Sequence, residues 1–286
     1  MEDKVNIQWY PGHMTKTRRQ LEQDLKQVDA VCEILDARIP ISSRNPDLDS
    51  LCAGKPRIVV LNRMDLADPA ATRCWAEHFR GTGAVTVCAD CKSRKGLDGF
   101  APAVREACAG KLARDAARGM NRPLRVMIVG IPNVGKSTLI NQIAGRKGAK
   151  AENRPGVTRG KQWVSVDPSL LLLDTPGILW PRFEDARVGL MLGFTGAVKE
   201  TVLDLEDLAA RLMVLLNERY PDALAERYGI SCPADTPGWE LLEQAGRRRG
   251  YLIARGEVDL TRASRNILDE FRSGKLGRFT LEVPNG

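Results

Sequence analysis

The chain has 286 residues with a formal charge of +7; 43% are hydrophobic and 28% charged. At roughly 150 residues per domain this length predicts two domains, each able to bury a core, and the basic balance leans toward a polyanionic partner. No apolar run is long enough to span a bilayer, Met1-Glu2-Asp3-Lys4 is not expected to begin a signal peptide, and the odd count of seven scattered cysteines argues against a disulfide framework. Cys88 and Cys91 have C-x-x-C spacing, but no second pair follows at zinc-site spacing. A reduced, cytoplasmic compartment is the simplest fit.

Near the start, Trp9-Tyr10-Pro11-Gly12-His13-Met14 is an aromatic, turn-prone segment ahead of a helix over about 15–28. Leu21, Leu25 and Val28 fall on one face of that helix. Ala30 to Asp36 reads as a short strand, followed by Ala37-Arg38-Ile39-Pro40 and a turn-rich loop, Ser42-Ser43-Arg44-Asn45-Pro46. The β-branched run Arg57-Ile58-Val59-Val60-Leu61 then delivers Asn62, Arg63, Met64 and Asp65 to a strand's carboxyl end, where open α/β sheets bind ligands. A carboxylate there can accept both N1–H and the N2 amine of guanine, a donor pair adenine lacks, so Asp65 selects GTP over ATP. Residues 69–79 read as a helix with Trp75 and Phe79 on its core face, and 84–89 as a strand. A polar loop at Asp90-Cys91-Lys92 follows, then one helix over 97–111 and a charged linker over 115–123.

The stretch that organises the chain is Gly130-Ile131-Pro132-Asn133-Val134-Gly135-Lys136-Ser137-Thr138, which fits G-x-x-x-x-G-K-[ST]. A strand (124–129) precedes it and a helix follows, the setting that phosphate binding requires. Lys136 supplies a point charge to the outer phosphates and Ser137 a hydroxyl ligand for Mg²⁺. The basic stretch 146–160 lacks apolar periodicity and contains Thr158, the candidate switch residue for Mg²⁺ and the γ-phosphate. Two strands (161–166 and 169–173) lead to Asp174-Thr175-Pro176-Gly177, where Asp174 can hold Mg²⁺ through water and the Gly177 N–H can sense the γ-phosphate.

These elements resemble the signature of a translation-factor-class GTPase, in a different order. The guanine-reading Asn62–Asp65 segment precedes the phosphate loop, so the expected fold is α/β: a circularly permuted P-loop GTPase domain, mostly parallel sheet flanked by helices, over 1–180, with an all-α domain over 181–286. With Trp9 to Met14 and Asp36-Ala37-Arg38-Ile39-Pro40, the chain resembles the ribosome biogenesis GTPase A (YlqF/RbgA) family along nearly its whole length. The resemblance implies a GTP- and GDP-binding factor acting late in maturation of the large ribosomal subunit, on its RNA and proteins, with hydrolysis stimulated by the particle. It further implies a monomer off the ribosome and no membrane partner. Ile178 stands where Ras-like GTPases carry a water-orienting glutamine, so the family pattern points to His13 for that task, with Lys136 and Thr158 as the other catalytic residues. Asn133 is similar to the asparagine that holds K⁺ in potassium-stimulated relatives. Nucleotide contacts are expected from Asn62, Arg63, Met64, Asp65, Asp90, Cys91, Asn133, Val134, Gly135, Lys136, Ser137, Thr138 and Gly177.

Two positions depart from the family pattern. Arg63 replaces the usual lysine of N-K-x-D, though its stem can still lie over the base. Asp90-Cys91-Lys92 replaces Ser-Ala-Lys, where only a backbone N–H need meet the guanine O6. The tail reads as helices over 187–194, 204–220, 239–246 and 261–273, with Leu205, Leu208, Leu212, Leu215 and Leu216 as one stripe and Pro221 as a breaker. Arg247-Arg248-Arg249, Lys275 and Arg278 give that domain a basic surface, which the family reading assigns to ribosomal RNA. A small-molecule kinase on the same P-loop and an RNA scaffold with negligible turnover are the competing readings.

Overall fold

The structure, a computed structural model, describes residues 19–148, 162–175, 186–198 and 204–284. Long β-branched and leucine-rich runs make six strands: β1 (Ala30–Asp36), β2 (Arg57–Asn62), β3 (Val85–Cys88), β4 (Leu124–Val129), β5 (Gln162–Asp167) and β6 (Leu170–Asp174). They lie in one sheet in the order β3-β2-β1-β4-β6-β5, parallel throughout except for β5 against β6. Parallel strands are normally covered on both faces, and so they are here. Leu21, Leu25 and Val28, from and just after the helical residues 19–25 (α1), pack with Leu48 and Cys52 over Val31, Met127, Val129 and Leu173. Trp75, Ala76 and Phe79 of α3 (Pro69–Gly81) cover Leu35, Val59 and Leu61, with Trp75 and Phe79 stacked 5.7 Å apart. The alternating residues Cys32, Ile34, Ile58, Val60, Val126 and Ile128 are equally buried.

Sheet order sets the position of the functional site. β1 pairs with β2 on one side and β4 on the other, so successive connections diverge between β1 and β4. The loops leaving the carboxyl ends of those two strands flank a crevice, the usual ligand position in open α/β sheets. Register then places Asp36, the last residue of β1, directly beside Asn62, the last residue of β2.

Several elements differ from their sequence expectation. A short helix, α2 (Asp47–Leu51), follows the Ser42–Pro46 loop. Instead of one helix over 97–111, a 3-10 turn (Leu97–Gly99) leads into α4 (Phe100–Ala107), and the axis breaks at Cys108 before α5 (Ala109–Ala117). α5 extends into the expected linker because Asp115 accepts from Lys111 at 2.8 Å and from Arg122 at 3.1 and 3.2 Å. The phosphate-loop helix α6 (Lys136–Gly148) kinks at Gly145, whose φ is 68°. The stretch 149–161, most of the basic segment that lacks apolar periodicity, lies outside the described residues.

Among the described residues, 19–175 and 282–284 form one compact unit and 186–281 the other. The second unit contains α7 (Ala186–Thr195), α8 (Leu205–Arg219), α9 (Pro221–Tyr228), α10 (Gly238–Arg248) and α11 (Leu260–Ser273). Pro221 starts a helix instead of ending one: at the first helical position its missing N–H has no intrahelical partner to lose. Asp204 caps α8 by accepting from the Glu206 and Asp207 amides. The helical unit ends at Leu281, whereas the sequence reading carries it to 286; residues 282–284 belong to the sheet unit.

The buried stripe of α8 is Leu208, Ala209, Leu212, Met213, Leu216 and Asn217, while Leu205 and Leu215 are half-buried. Leu212→Ala should therefore cost about 2–5 kcal/mol, and Leu215→Ala clearly less. Urea unfolding followed by far-UV circular dichroism checks the ordering, and equal losses would contradict this packing.

Candidate nucleotide site

β4 ends at Val129 and the chain turns through the phosphate loop into α6. Ile131 and Val134 are buried and anchor the loop from below, and Leu139 and Ile140 do the same for the helix. The Leu139 amide bonds the Gly135 carbonyl at 2.9 Å, closing the first helical turn. Ser137 and Thr138 stay exposed at the helix start, where backbone N–H groups and the helix dipole favour an anion. Lys136 is buried and donates to the Gly130 and Ile131 carbonyls, each at 2.9 Å. Burial, only partly countered by Asp174, lowers its ammonium pKa to about 8. Burial likewise raises the Asp174 carboxyl above its ordinary range despite Lys136. Beside it, the Thr175 hydroxyl donates to the Ile128 carbonyl at 2.6 Å, fixing the end of β6 to β4.

The early segment meets this loop directly. Asn62 is buried, and its Nδ2 donates to the Val134 carbonyl at 2.7 Å while its Oδ1 accepts from the Cys91 amide at 3.0 Å. One side chain thus joins the loops following β2, β3 and β4. Gly135, at φ +109°, lies so close that a Cβ there would sit 2.4 Å from Asn62 Nδ2, so a side chain is excluded. The next residue adds a second brace: Arg63 Nη2 donates to the Asn133 carbonyl at 2.7 Å. Arg63 and Asn133 both take left-handed φ, 61° and 59°, a conformation uncommon outside glycine. Asp65 is exposed in the turn that follows, and the Met64 amide bonds the Ala89 carbonyl at 3.2 Å.

The Asp90–Gly96 loop lies beside the Asn62 turn. Asp90 Oδ1 accepts the Lys92 amide at 2.8 Å, and Arg94 reaches Gln142 of α6 at 3.3 Å. The Cys91 N–H is engaged by Asn62, so Cys91 braces the site through its amide. Its thiol is buried and pushed up to about 12 by burial, which makes it a poor thiolate ligand or nucleophile. Among the described residues no cluster of three or more His, Cys, Asp or Glu side chains forms a metal cage. His13, Thr158 and Gly177 lie outside the described residues.

Sequence reasoning gave no site role to Asp36. Its carboxylate receives Arg38 through Nε at 2.9 Å and Nη2 at 2.7 Å, and Arg63 Nε lies 3.7 Å away. Burial alone would raise the Asp36 carboxyl, but Arg38 and then Arg63 outweigh it and hold it below the usual range. The D-x-R spacing was visible, but its link to the base loop comes from strand register.

Comparison with known proteins gives the family. Residues 125–228 match the family model described as "50S ribosome-binding GTPase", which begins at the phosphate-loop strand. Ribosome biogenesis GTPase A of Priestia megaterium is 45% identical over 284 residues, covering 98% of both chains. The chain belongs to the ribosome biogenesis GTPase A family. Two solved structures of YlqF from T. maritima, one GDP-bound and one GNP-bound, match with TM-scores of 0.65 and 0.64 at 28% and 27% identity. They cover 93% and 94% of this chain and 99% of each neighbour. As a member of this family the chain is a P-loop GTPase, and the kinase and inert-scaffold readings fall away.

The Lys136 environment gives a signed pH dependence. A phosphate favours the ammonium form, which is present below about pH 8 and lost above it. GTP affinity should fall as pH rises from 7 to 9, with proton uptake on binding near pH 8. Calorimetry in buffers of different ionisation enthalpy reads that uptake, and pH-independent binding would contradict the buried lysine.

Proposed function

We propose that this GTPase is an assembly factor for the large ribosomal subunit, that the particle stimulates its turnover, and that hydrolysis accompanies release. The observation that carries the nucleotide half is the Asn62–Val134 hydrogen bond, because it brings the guanine-reading turn to the phosphate loop. The ribosomal half is supported by the names of the matched family model and the relative. Among the described residues no helix is long and apolar enough to cross a membrane. A cytoplasmic site of action and a monomeric free form complete the proposal.

The chain's own groups divide the chemistry. Asp65 accepts from the purine edge, with the Arg63 stem lying along the base and the Asp90-Cys91-Lys92 loop beside the O6 position. The phosphate-loop amides and the Lys136 ammonium hold the outer phosphates, and the Gly177 N–H reports the γ-phosphate. Ser137, in the first turn of α6, and Asp174, at the end of β6, offer hard oxygen donors, which suits Mg²⁺. With Thr158 they would hold that ion, which when bound neutralises charge between the β- and γ-phosphates. Asn133 is the proposed K⁺ ligand. Ile178 has no polar side-chain atom, so we assign water orientation to His13, brought in on docking.

In the helical unit Arg247, Arg248, Arg249, Lys275 and Arg278 are all exposed, with Arg247 beside Glu243 and Arg249 beside Glu270. These basic residues are the candidates for phosphate contacts with ribosomal RNA, whose binding should weaken with salt.

Two experiments test the assignment. Asp65→Asn exchanges a double acceptor for a group with a donor, so affinity should shift from GTP toward XTP, whose O2 replaces the N2 amine. Labelled-nucleotide competition reads the shift, and a variant that keeps full GTP preference would remove Asp65 from the base site. Separately, the protein with a non-hydrolysable GTP analogue should cosediment with large subunits, and His13→Ala should keep GTP affinity while losing particle-stimulated turnover. Retained stimulation in that variant would assign the water to another group.

A further inference from the structure

The tail holds a charge that the nucleotide chemistry does not use. Glu282, only 8% exposed, turns its carboxylate onto the loop after β1. It accepts from the Ile41 amide at 2.7 Å, the Ser42 amide at 3.1 Å and the Ser42 hydroxyl. Its own carbonyl accepts Trp75 Nε1 at 3.0 Å, so its backbone is fixed to the core face of α3. Three donors on a buried carboxylate make a stable, directional clamp, because charge-assisted bonds are about twice as strong as neutral ones.

What the clamp holds leads back to the nucleotide site. Ser43, the residue after the clamped pair, has its Oγ accepting the Asp36 amide at 3.0 Å. Asp36 takes both Arg38 nitrogens and lies 3.7 Å from Arg63 Nε. Arg63 in turn donates to the Asn133 carbonyl of the phosphate loop. The path is continuous from the chain's tail to the phosphate loop and stays within the sheet unit. We propose that Glu282 is a positioning residue of the nucleotide site: it fixes the 41–43 backbone, which fixes Asp36, which orients Arg63 against the phosphate loop. Leu281, its covalent neighbour, is the last residue of the helical unit, with its carbonyl bonded by Arg219 at 2.8 Å. This inference rests on the nucleotide site proposed above, and its test separates the two.

The experiment measures release of a fluorescent GDP analogue from the full chain by stopped flow, alongside the melting temperature. Wild-type protein that binds no analogue would overturn the site itself; binding by wild type isolates the role of Glu282. Glu282→Ala should speed release on the order of fivefold, with Ser42→Ala, which removes only the hydroxyl bond, giving a smaller effect in the same direction. In an Arg63→Lys background, where the Nε facing Asp36 is gone, Glu282→Ala should add almost nothing. That non-additivity distinguishes positioning from general loosening, which would multiply through both backgrounds. Unchanged release in Glu282→Ala, or fully multiplicative effects of the pair, would overturn the proposal. Should Glu282→Ala not fold, the same cycle run with Ser42→Ala decides the matter.

Discussion

The site depends on the Asn62 amide. Buried against the phosphate loop, it donates to the Val134 carbonyl with one end and accepts from the Cys91 amide with the other. An aspartate of the same shape would be acceptor-only and would face the Val134 carbonyl with like partial charge. A serine would be too short to serve both. Because the group is out of water, losing either bond leaves a buried polar atom unpaired, which costs about 1–3 kcal/mol. Gly135 belongs to the same constraint, since the Asn62 amide occupies the space that a Cβ there would need.

That constraint also accounts for the tolerance of permuted chain order. The ligands sit at the carboxyl ends of strands, and what brings those ends together is sheet order and register, not sequence distance. β1 and β4 are separated by two further strands along the chain, yet they are paired neighbours. Cutting a parallel sheet protein at a different connection moves the termini and leaves the crevice intact. Here the chain's return at Glu282 places a terminal segment back on the loop after β1.

The strands and phosphate loop were legible because their signals are local. β2, β4 and β6 each carry an apolar run (Ile58–Leu61, Val126–Val129 and Leu170–Leu173), as buried parallel strands should, and the glycine-lysine-serine spacing needs only the flanking strand and helix to be believed. α2, at five residues, is too short to show helical periodicity. The break falls at Cys108, itself neither proline nor glycine, and Pro221 looks the same whether it ends a helix or begins one. Asn62 and Asp65 were found through their strand-end position, but the contacts that fix Asn62 and its neighbour Arg63 are with Val134 and Asn133, 72 and 70 positions away. The Glu282 clamp spans 240 positions and bonds mostly to backbone, which leaves no signature in side-chain pattern.

Arginine at position 63 follows from the same geometry. A lysine offers one point charge, able to sit on the Asn133 carbonyl or beside Asp36. The guanidinium is a planar fork, so Nη2 takes the carbonyl while Nε faces the carboxylate. Asp36 is buried and needs compensating charge; Arg38 supplies the bidentate partner and Arg63 the further Coulomb attraction. The base loop is therefore tied to the loop after β1 by electrostatics and to the phosphate loop by a hydrogen bond, both through one residue. The departure from lysine thus adds a connection to the usual brace, tying the loop after β1 to the phosphate loop.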